Sequence, residues 1–327
     1  MPEFGTSGLR GLAVDLTDEL CATYAAGFVS LHDHNGTLMI GQDRRASSPR
    51  IAAAVTAGAK SEGVEVIDCG VLPTPALALA AAKAGTVAII VTGSHIPADR
   101  NGLKFYTRNG EFTKADEAPL RDAVAARAAP EVVSVQVEPD DTACTDYVTR
   151  YVRGFPEGVL KGRRIGVWLH SSAASHVLPE ILERLGATVV GLGQSDEFVS
   201  VDTEAVDGAT RAALAGWVDE HALDALVSTD GDADRPLLVD DLCRVVPGDI
   251  LGPITARWAG AEEVVTTISA NTLVDLMGQF AGVARTKIGS PYVIAEMEAR
   301  QAKGVKVAGY EPNGGFLLGW DIGNGLS

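Results

Sequence analysis

A serine and a histidine that follow a short apolar run are the first residues that could carry out chemistry. The run Val87–Val91 is dense in valine and isoleucine, which is typical of a strand buried on both faces of a parallel sheet. Gly93 permits the backbone angles of a tight turn at the carboxyl end of this strand, where α/β sheets place ligand sites. The pattern predicts a reactive hydroxyl at Ser94, with His95 as a base or orienting group. An ordinary loop serine and loop histidine are the alternative.

The segment after this serine predicts a turn and then a cation. Asn101–Gly102 is a common turn pair, so we expect the chain to reverse there. Lys104 follows with a permanent positive charge, and its alternative is a solvated surface lysine. A serine hydrolase is not indicated, because Ser94 does not lie in the G-x-S-x-G sequence of a nucleophile elbow.

Three aspartates at alternate positions form the strongest local signal. Asp230, Asp232 and Asp234 follow an apolar strand, and Gly231 helps the loop to curl so that the carboxylates converge. A hard divalent cation would offset their repulsion, and all-oxygen ligation favours Mg²⁺ over zinc. An EF-hand fails because no bidentate glutamate follows at the loop end. A solvated acidic turn remains the alternative.

Further segments offer groups that suit a phosphorylated sugar. Glu311, Asn313 and the bare backbone of Gly314 suit hydrogen bonding to sugar hydroxyls, although a simple turn between strands fits them equally well. A glycine- and hydroxyl-rich segment near the amino terminus suits an anion, with a flexible arm as its alternative. The candidate anion-binding residues are Thr6, Ser7, Arg10, Arg235, Arg285 and Lys287. The last two could equally be surface charge.

Strands and helices alternate along the chain in a β-α-β pattern that favours parallel sheets. The chain has 327 residues, of which 46% are hydrophobic, and this is enough for several cores. We predict an α/β protein with three domains in series, at 1–141, 142–246 and 247–327. Each domain ends strands in polar loops that contain glycine.

The net charge of −16 argues against nucleic acid and anionic membranes as partners. Any phosphate-bearing substrate must therefore meet a local basic site. The four cysteines are far apart and predict free thiols rather than a zinc site or disulfides. No apolar run is long enough to cross a bilayer. We expect a cytoplasmic protein that binds a small molecule, and no residue pattern indicates its oligomeric state.

Four motifs together resemble the α-D-phosphohexomutase family, in its phosphomannomutase/phosphoglucomutase branch. They occur in the family's order over essentially the whole chain, at Thr6–Gly11, Thr92–Lys104, Asp230–Arg235 and Glu311–Gly315. The resemblance implies three mixed-sheet α/β domains around a central cleft. In chain order, the first would carry the phosphoserine, the second would bind the metal and the third would bind the sugar. It also implies interconversion of hexose 6-phosphate and hexose 1-phosphate through a 1,6-bisphosphate. Mannose phosphate is the first expected substrate and glucose phosphate the alternative.

The resemblance implies a role for each matched residue. Ser94 would carry a phosphate, and the three aspartates would hold Mg²⁺ together with that phosphate. Hexose 1,6-bisphosphate would act as an activator. The residues beside the reacting group would be Ser94, His95, Lys104, Arg235 and Arg10. The substrate-binding residues would be Thr6, Ser7, Glu311, Asn313, Gly314, Lys287 and Arg285.

This sequence also departs from the family pattern. Gly93 stands in place of alanine, Ile96 in place of asparagine and Ala233 in place of glycine, which leaves the implied roles intact. The family's fourth domain carries a loop that grips the substrate's non-reacting phosphate, and no such loop precedes Ser327. We therefore expect the fourth domain to be absent from this chain, as in a fragment or a natural truncation. In either case, Ser94 phosphorylation and Mg²⁺ binding should survive better than turnover. The alternatives are a sugar-phosphate-binding remnant and a magnesium-dependent phosphatase.

Overall fold

The computed structural model describes residues 2–5, 8–133, 137–323 and 325–326. Within these ranges the chain folds into three successive α/β units, each built on a mixed sheet of its own. This confirms the predicted α/β class. No helix in the described ranges has both the length and the apolar character needed to cross a membrane.

The first sheet contains the strand that precedes the candidate serine. Its strands are β1 (Glu3–Phe4), β2 (Leu9–Leu12), β3 (Thr37–Gln42), β4 (Glu65–Val71), β5 (Val87–Val91), β6 (Arg100–Thr107) and β7 (Gly110–Glu111). Their order is β1-β2-β6-β5-β3-β4, with β7 paired to β6. β3 is parallel to β4 and β5, whereas β6 is antiparallel to β5. β5 has the predicted bounds, and all its residues are buried.

Helices cover both faces of this sheet and so explain its buried strand. They are α1 (Asp18–Leu31), α2 (Ser48–Ser61), α3 (Thr74–Ala84) and α4 (Lys114–Ala125). One core cluster joins α1 and α2 to the sheet around Phe28, Ile51 and Phe105. A second cluster joins α3 to the sheet around Leu77 and Ile90. Burial of each such side chain contributes about 1.5–3 kcal/mol, so both clusters hold the strand ends in place.

The second unit is built on a five-stranded sheet. Its strands are β8 (Arg164–His170), β9 (Thr188–Gln194), β10 (Ala225–Thr229), β11 (Pro236–Asp240) and β12 (Val245–Val246), and its helices are α5 (Thr142–Gly154), α6 (Val177–Arg184) and α7 (Gly208–Glu220). The strand order is β12-β11-β10-β8-β9. β8 is parallel to β9 and β10, and β11 is antiparallel to β10.

The third unit is smaller and has a four-stranded sheet. Its strands are β13 (Glu263–Thr267), β14 (Gly282–Thr286), β15 (Val307–Tyr310) and β16 (Phe316–Leu318), and its helices are α8 (Gly248–Ala259), α9 (Leu273–Met277) and α10 (Ser290–Gln301). The strand order is β14-β13-β15-β16. β13 is parallel to β14 and β15, and β16 is antiparallel to β15.

The three sheets repeat one arrangement of strands. In each, the last parallel strand pairs with the antiparallel strand that follows it, as β6 does on β5, β11 on β10 and β16 on β15. The loop between these two strands therefore begins at the carboxyl end of a parallel strand, where ligand sites form. We call these loops the serine loop (92–99), the aspartate loop (230–235) and the glutamate loop (311–315). They carry the candidate residues of the three units.

The predicted turn at Asn101–Gly102 is wrong, because both residues lie inside β6. Gly102 is paired with Arg10 of β2, and a Cβ at this position would lie 2.4 Å from the carbonyl oxygen of Leu9. A glycine inside a strand can mark a close approach of another backbone, as it does here. The true reversal of the chain is the serine loop itself.

Candidate active site

Ser94 is the residue of the serine loop that reaches the aspartate loop. Its hydroxyl donates a hydrogen bond to Asp230 Oδ2 at 2.7 Å and lies 3.3 Å from His95 Nδ1. The residue is fully buried and has a φ of 52°, a left-handed conformation that costs a serine about 1 kcal/mol or more. A buried, strained hydroxyl held against a carboxylate of another unit supports the hypothesis of a reactive group over an ordinary loop serine.

Gly93 is needed for space rather than for the backbone angles that were predicted. The left-handed residue of the turn is Ser94. A Cβ on Gly93 would lie 2.7 Å from Arg45 Cζ, and Arg45 is fully buried at this place. The serine loop therefore depends on an arginine that no sequence motif points to.

Two further residues that sequence reasoning missed hold the amino-terminal end of the serine loop. Thr92 Oγ1 accepts a hydrogen bond from the N–H of Ser94 at 2.8 Å and donates one to Asp43 Oδ2 at 2.8 Å. Asp43 also accepts from Ser48 Oγ at 2.6 Å and from Arg45 Nε at 3.1 Å. Burial raises the pKa of Asp43, and these partners oppose that rise. The one available signal was a polar segment after β3, the strand beside β5.

The three aspartates come together in the aspartate loop. One carboxylate oxygen from each of Asp230, Asp232 and Asp234 lies within 4.8 Å of the others. Lys104 Nζ donates to Asp232 Oδ2 at 2.7 Å and to Asp234 Oδ2 at 2.6 Å. Thr74, at the start of α3, donates its hydroxyl to Asp232 Oδ2 at 2.7 Å and its N–H to the Asp232 carbonyl at 2.8 Å. The first unit thus holds the aspartate loop of the second.

Burial and charge separate the acid–base properties of this cluster. Burial, together with the charges of Asp232 and Asp234, raises the pKa of Asp230 well above its usual range. Burial acts in the same direction on Asp232, but Lys104 outweighs it and holds the pKa of this carboxyl below its usual range. Burial alone would lower the pKa of Lys104, whereas the two carboxylates raise it well above the usual value. Lys104 therefore stays charged, and Asp230 takes up a proton more readily than Asp232.

The free oxygens of the cluster fit a divalent cation. Asp232 Oδ1 and Asp234 Oδ1 are buried and accept no hydrogen bond from any described residue. Arg235 Nε lies 3.7 Å from Asp234 Oδ1, too far for a hydrogen bond. Buried acceptors without a donor are costly, and carboxylate oxygens are the ligands that Mg²⁺ takes. These carboxylate oxygens are therefore suitable ligands for Mg²⁺.

Two arginines place further positive charge near Ser94. Arg235 Nη1 donates to His95 Nδ1 at 2.8 Å, and because an arginine only donates, the proton of neutral His95 lies on Nε2. Burial and the charge of Arg235 lower the pKa of His95, so the ring is neutral at pH 7. Arg10 Nε is buried and has no hydrogen-bond partner in the described ranges. This donor is available to an anion.

The glutamate loop contributes a carboxylate and an amide to the same region. Glu311 Oε1 accepts from the N–H of Gly289 at 3.1 Å, and burial raises the pKa of this carboxyl. Asn313 Oδ1 accepts from the N–H of Gly315 at 2.9 Å. Gly314 has a φ of 97°, a conformation that favours glycine. Within the loop, the N–H of Glu311 also donates to the carbonyl of Gly315 at 3.0 Å, and the N–H of Gly314 donates to the carbonyl of Glu311 at 3.0 Å.

Not every predicted residue is brought to this region. Arg285 donates to backbone carbonyls that follow β13 and to Asp275 at 2.6 Å, and Lys287 is exposed. Neither is among the described residues that line the central cavity. Their substrate-binding roles stay predictions. Thr6 and Ser7 lie outside the described residues.

A cavity of about 690 Å³ lies where the three units meet. Its lining includes Arg10, Lys104, Asp234 and Arg235, together with the glutamate loop. Aliphatic side chains from α6 and α10 complete it. This volume is in the range of small-molecule sites in proteins.

Comparison with known proteins assigns the chain to a family. The phosphoglucomutase/phosphomannomutase alpha/beta/alpha domains I, II and III match residues 1–130, 145–242 and 247–326. The chain belongs to this family. The resemblance drawn from the sequence motifs is thereby confirmed.

Individual family members match nearly the whole chain. A phosphomannomutase from Sinorhizobium fredii is 45% identical over an alignment that spans 97% of this chain and 69% of the relative. One from Salmonella muenchen is 42% identical over 322 residues, covering 98% and 67%. The crystal structure of a putative phosphomannomutase from Thermus thermophilus shares the fold, with a TM-score of 0.78 at 21% identity over 97% of this chain and 75% of that one.

His170 is expected to make the stability of the fold depend on pH. It is buried at the end of β8, and its Nε2 donates to the carbonyl of Thr229, directly before Asp230, at 3.0 Å. Burial lowers its pKa from 6.5 to about 4. Between these values the unfolded chain binds a proton that the folded chain does not. Stability should therefore fall as the pH falls from 6.5 to 4, by about 3 kcal/mol from this group.

The variant His170→Asn is expected to lose this part of the pH dependence, and asparagine tolerates the φ of 26° at this position. The measurement is the free energy of unfolding in urea at pH 7 and pH 4 for both proteins. His221→Asn, at the end of α7, is the control that should keep the parent's dependence. An identical loss in the parent and in His170→Asn would contradict the prediction.

Proposed function

We propose that this chain is a phosphohexomutase that interconverts hexose 6-phosphate and hexose 1-phosphate through a phosphoserine at Ser94. The observation that carries the proposal is the 2.7 Å hydrogen bond from Ser94 Oγ to Asp230, inside the cluster formed by three aspartates and Lys104. Mannose phosphate is the proposed substrate because both phosphomannomutase relatives exceed 40% identity. Glucose phosphate is the alternative, since Glu311 and Asn313 could serve either C2 epimer.

Each proposed domain supplies one part of this chemistry. Residues 1–141 would carry the phosphate, residues 142–246 the metal and residues 247–327 the sugar. Hexose 1,6-bisphosphate would be both intermediate and activator. The proposed partners are small hexose phosphates, and the proposed location is the cytoplasm.

The charging step is an attack of Ser94 Oγ on a phosphorus of hexose 1,6-bisphosphate. A bond from Oγ to phosphorus forms, the bond from phosphorus to the sugar oxygen breaks, and a hexose monophosphate is released. The hydroxyl proton moves along its hydrogen bond to Asp230 and ends on the sugar oxygen. In turnover, the phosphoserine passes its phosphate to the free hydroxyl of a hexose monophosphate, which forms the bisphosphate and frees Ser94. A second attack by Ser94 on the other phosphate of this bisphosphate releases the isomeric monophosphate and restores the phosphoserine.

The aspartate loop would hold Mg²⁺ through Asp230, Asp232 and Asp234, together with the phosphate on Ser94. The ion would stabilise negative charge on the transferring phosphoryl group. The fit rests on the two buried oxygens without a donor in the described chain, Asp232 Oδ1 and Asp234 Oδ1.

The chain's own cations would complete this stabilisation. Lys104 and Arg235 lie beside the carboxylates, and the free Nε of Arg10 can donate to a phosphate oxygen. Arg235 also orients the neutral ring of His95 beside Ser94.

The glutamate loop would recognise the sugar. Glu311 accepts hydrogen bonds from hydroxyls, and the Asn313 amide can donate one. Bare backbone at Gly314 lets a sugar ring approach closely, because no side chain intervenes. These contacts bind either end of the sugar, as a mutase requires when its intermediate turns round.

The intact mass of the protein tests this proposal. After incubation with hexose 1,6-bisphosphate and Mg²⁺, the parent should gain one phosphate and Ser94→Ala should gain none. Ser61→Ala is the control, because Ser61 Oγ donates only to a helix carbonyl at 2.7 Å, and it should gain phosphate like the parent. Comparing turnover of mannose 1-phosphate and glucose 1-phosphate decides the sugar.

Other outcomes separate the alternatives. A parent that gains no phosphate under any condition would contradict the proposal and leave a sugar-phosphate-binding remnant. Phosphate on Ser94→Ala would place the reactive group elsewhere. Rapid loss of phosphate to water would indicate a phosphatase.

A further inference from the structure

One connection of the second unit touches all three functional loops. It is the stretch of residues 198–203 between β9 and α7, which we call the crossing segment. We propose that the crossing segment is a positioning element, which sets the serine loop through Phe198 and the glutamate loop through Thr203. The effect on phosphorylation rests on the proposed function, whereas the effect on loop geometry does not.

The first contact of the crossing segment is with the arginine that holds the serine loop. Arg45 Cζ lies 3.9 Å from the centroid of the Phe198 ring, close enough for a cation–π interaction. Every N–H of this guanidinium donates a hydrogen bond. The acceptors are Asp43 Oδ2 and the carbonyl oxygens of Ser94, Ile96, Pro97 and Arg100, at 2.6–3.1 Å.

These bonds make Arg45 the clamp of the serine loop. Acceptors bind all the N–H groups at the edge of the guanidinium. A further neighbour can therefore hold Arg45 in place only by packing against the flat face of the guanidinium. Phe198 covers that face, and a Cβ on Gly93 would lie only 2.7 Å from Arg45 Cζ. A shift of the arginine would therefore move the backbone on both sides of Ser94.

The same phenylalanine also contacts the aspartate loop. A Cβ on Gly231 would lie 2.7 Å from Phe198 Cζ and 2.9 Å from the carbonyl oxygen of Ser94. The ring therefore packs between the arginine that holds the serine loop and the backbone between Asp230 and Asp232. Its position sets the distance between the serine and the carboxylates.

Two hydroxyls extend the contact to the other loops. Ser200 Oγ donates to the carbonyl of His95 in the serine loop. Thr203 Oγ1 donates to the carbonyl of Asn313 in the glutamate loop at 2.5 Å, and Thr203 is only 7% exposed. The crossing segment thus joins the loop that would carry the phosphate to the loop that would bind the sugar.

The test at Phe198 is the variant Phe198→Leu. Leucine keeps apolar volume but loses the aromatic face. Phe155→Leu is the matched control, because Phe155 is also half-buried and stacks on a neighbouring ring, that of Trp258, at 5.4 Å. The readouts are the rate of phosphate gain at saturating hexose 1,6-bisphosphate and amide hydrogen exchange in residues 93–100.

We expect Phe198→Leu to phosphorylate about 10- to 100-fold more slowly, because small displacements of a reacting group have effects of this size. The KM of this variant for hexose 1,6-bisphosphate should stay near that of the parent. Amide hydrogen exchange in residues 93–100 should be faster. Phe155→Leu should leave both readouts unchanged.

Thr203→Val tests the other end of the crossing segment. Valine has the shape of threonine without the donor, so we expect a KM for the bisphosphate about 10-fold higher at an unchanged maximal rate, from the loss of one hydrogen bond to the glutamate loop. Thr203→Ser keeps the donor and should restore the KM. A change in the maximal rate alone would contradict this assignment.

The exchange measurement keeps the inference separate from the proposed chemistry. If the parent gains no phosphate, the proposed function fails, and exchange in residues 93–100 still judges the role of Phe198. If Phe198→Leu exchanges like the parent there, or if Phe155→Leu loosens these residues equally, the positioning role is overturned.

Discussion

Lys104→Met is expected to lower the free energy of unfolding by about 3–5 kcal/mol. Lys104 is buried, and its Nζ lies within 2.7 Å of oxygens of both Asp232 and Asp234. Removing the cation leaves two carboxylates without their partner, which is much more costly than replacing the whole group by apolar residues. Methionine is of similar length, so the loss reports mainly on charge. Unfolding in urea at pH 7 measures it.

The matched control for this variant is Lys83→Met. Lys83 pairs with Asp146 at 2.6 Å, but the two side chains are 76% and 50% exposed. Such a surface pair contributes at most about 1 kcal/mol. Similar losses in the two variants would contradict the role assigned to Lys104. Saturating Mg²⁺ should restore part of the stability of Lys104→Met, by about 2.7 kcal/mol at a hundredfold excess over its dissociation constant.

Asp234→Asn is expected to weaken Mg²⁺ binding on the order of 10- to 100-fold, because the affinity of such sites follows the number of charged oxygen ligands. Asp234 is suited to this test because its side chain is 29% exposed, whereas that of Asp232 is fully buried. Asparagine has the same shape, so the fold should be little affected. Calorimetric titration with MgCl₂ measures the affinity, and the increase of Tm with MgCl₂ gives a second readout.

Asp240→Asn is the control for the metal experiment. Asp240 lies at the end of β11 in the same unit, and its carboxylate accepts from Arg244 Nε at 2.8 Å. It should bind Mg²⁺ like the parent. Equal weakening in both variants, or no Mg²⁺ binding by the parent, would contradict the assignment of the cation to the aspartate loop.

The repeated strand arrangement explains how three units build one site. Each unit presents the loop after its last parallel strand, and the antiparallel strand that follows returns the chain to the sheet. Nucleophile, metal ligands and sugar-binding groups are then supplied from equivalent positions. Each loop can vary in chemistry without a change in the sheet that supports it.

Three cations line the central cavity of an acidic chain. The net charge is −16, yet Arg10, Lys104 and Arg235 all line the central cavity. Exposed charges are screened over about 10 Å at 0.1 M salt, so the acidic surface acts weakly at this depth. A phosphate dianion that enters the cavity therefore meets these three cations beside the carboxylates of Glu111, Asp234 and Glu311.

Local sequence patterns were sufficient to predict much of the fold and part of the site. The strand Val87–Val91 could be predicted because a dense β-branched run is stable only where both faces are buried. The convergence of Asp230, Asp232 and Asp234 could be predicted because alternate positions after a strand lie close together in a curled loop. Both features depend on residues adjacent in the chain, so no distant contact was needed to infer them.

Other features depend on contacts between distant residues, and no local pattern contains them. Gly102 was predicted in a turn, although the close approach of β2 places it inside a strand. Arg45 could not be recognised, because it binds mainly backbone carbonyls, which every residue carries. Phe198 and Thr203 gain their partners only when three units pack around one cavity. Short motifs in the sequence thus identify the reactive residues of this chain, whereas packing between the units sets the distances between these residues.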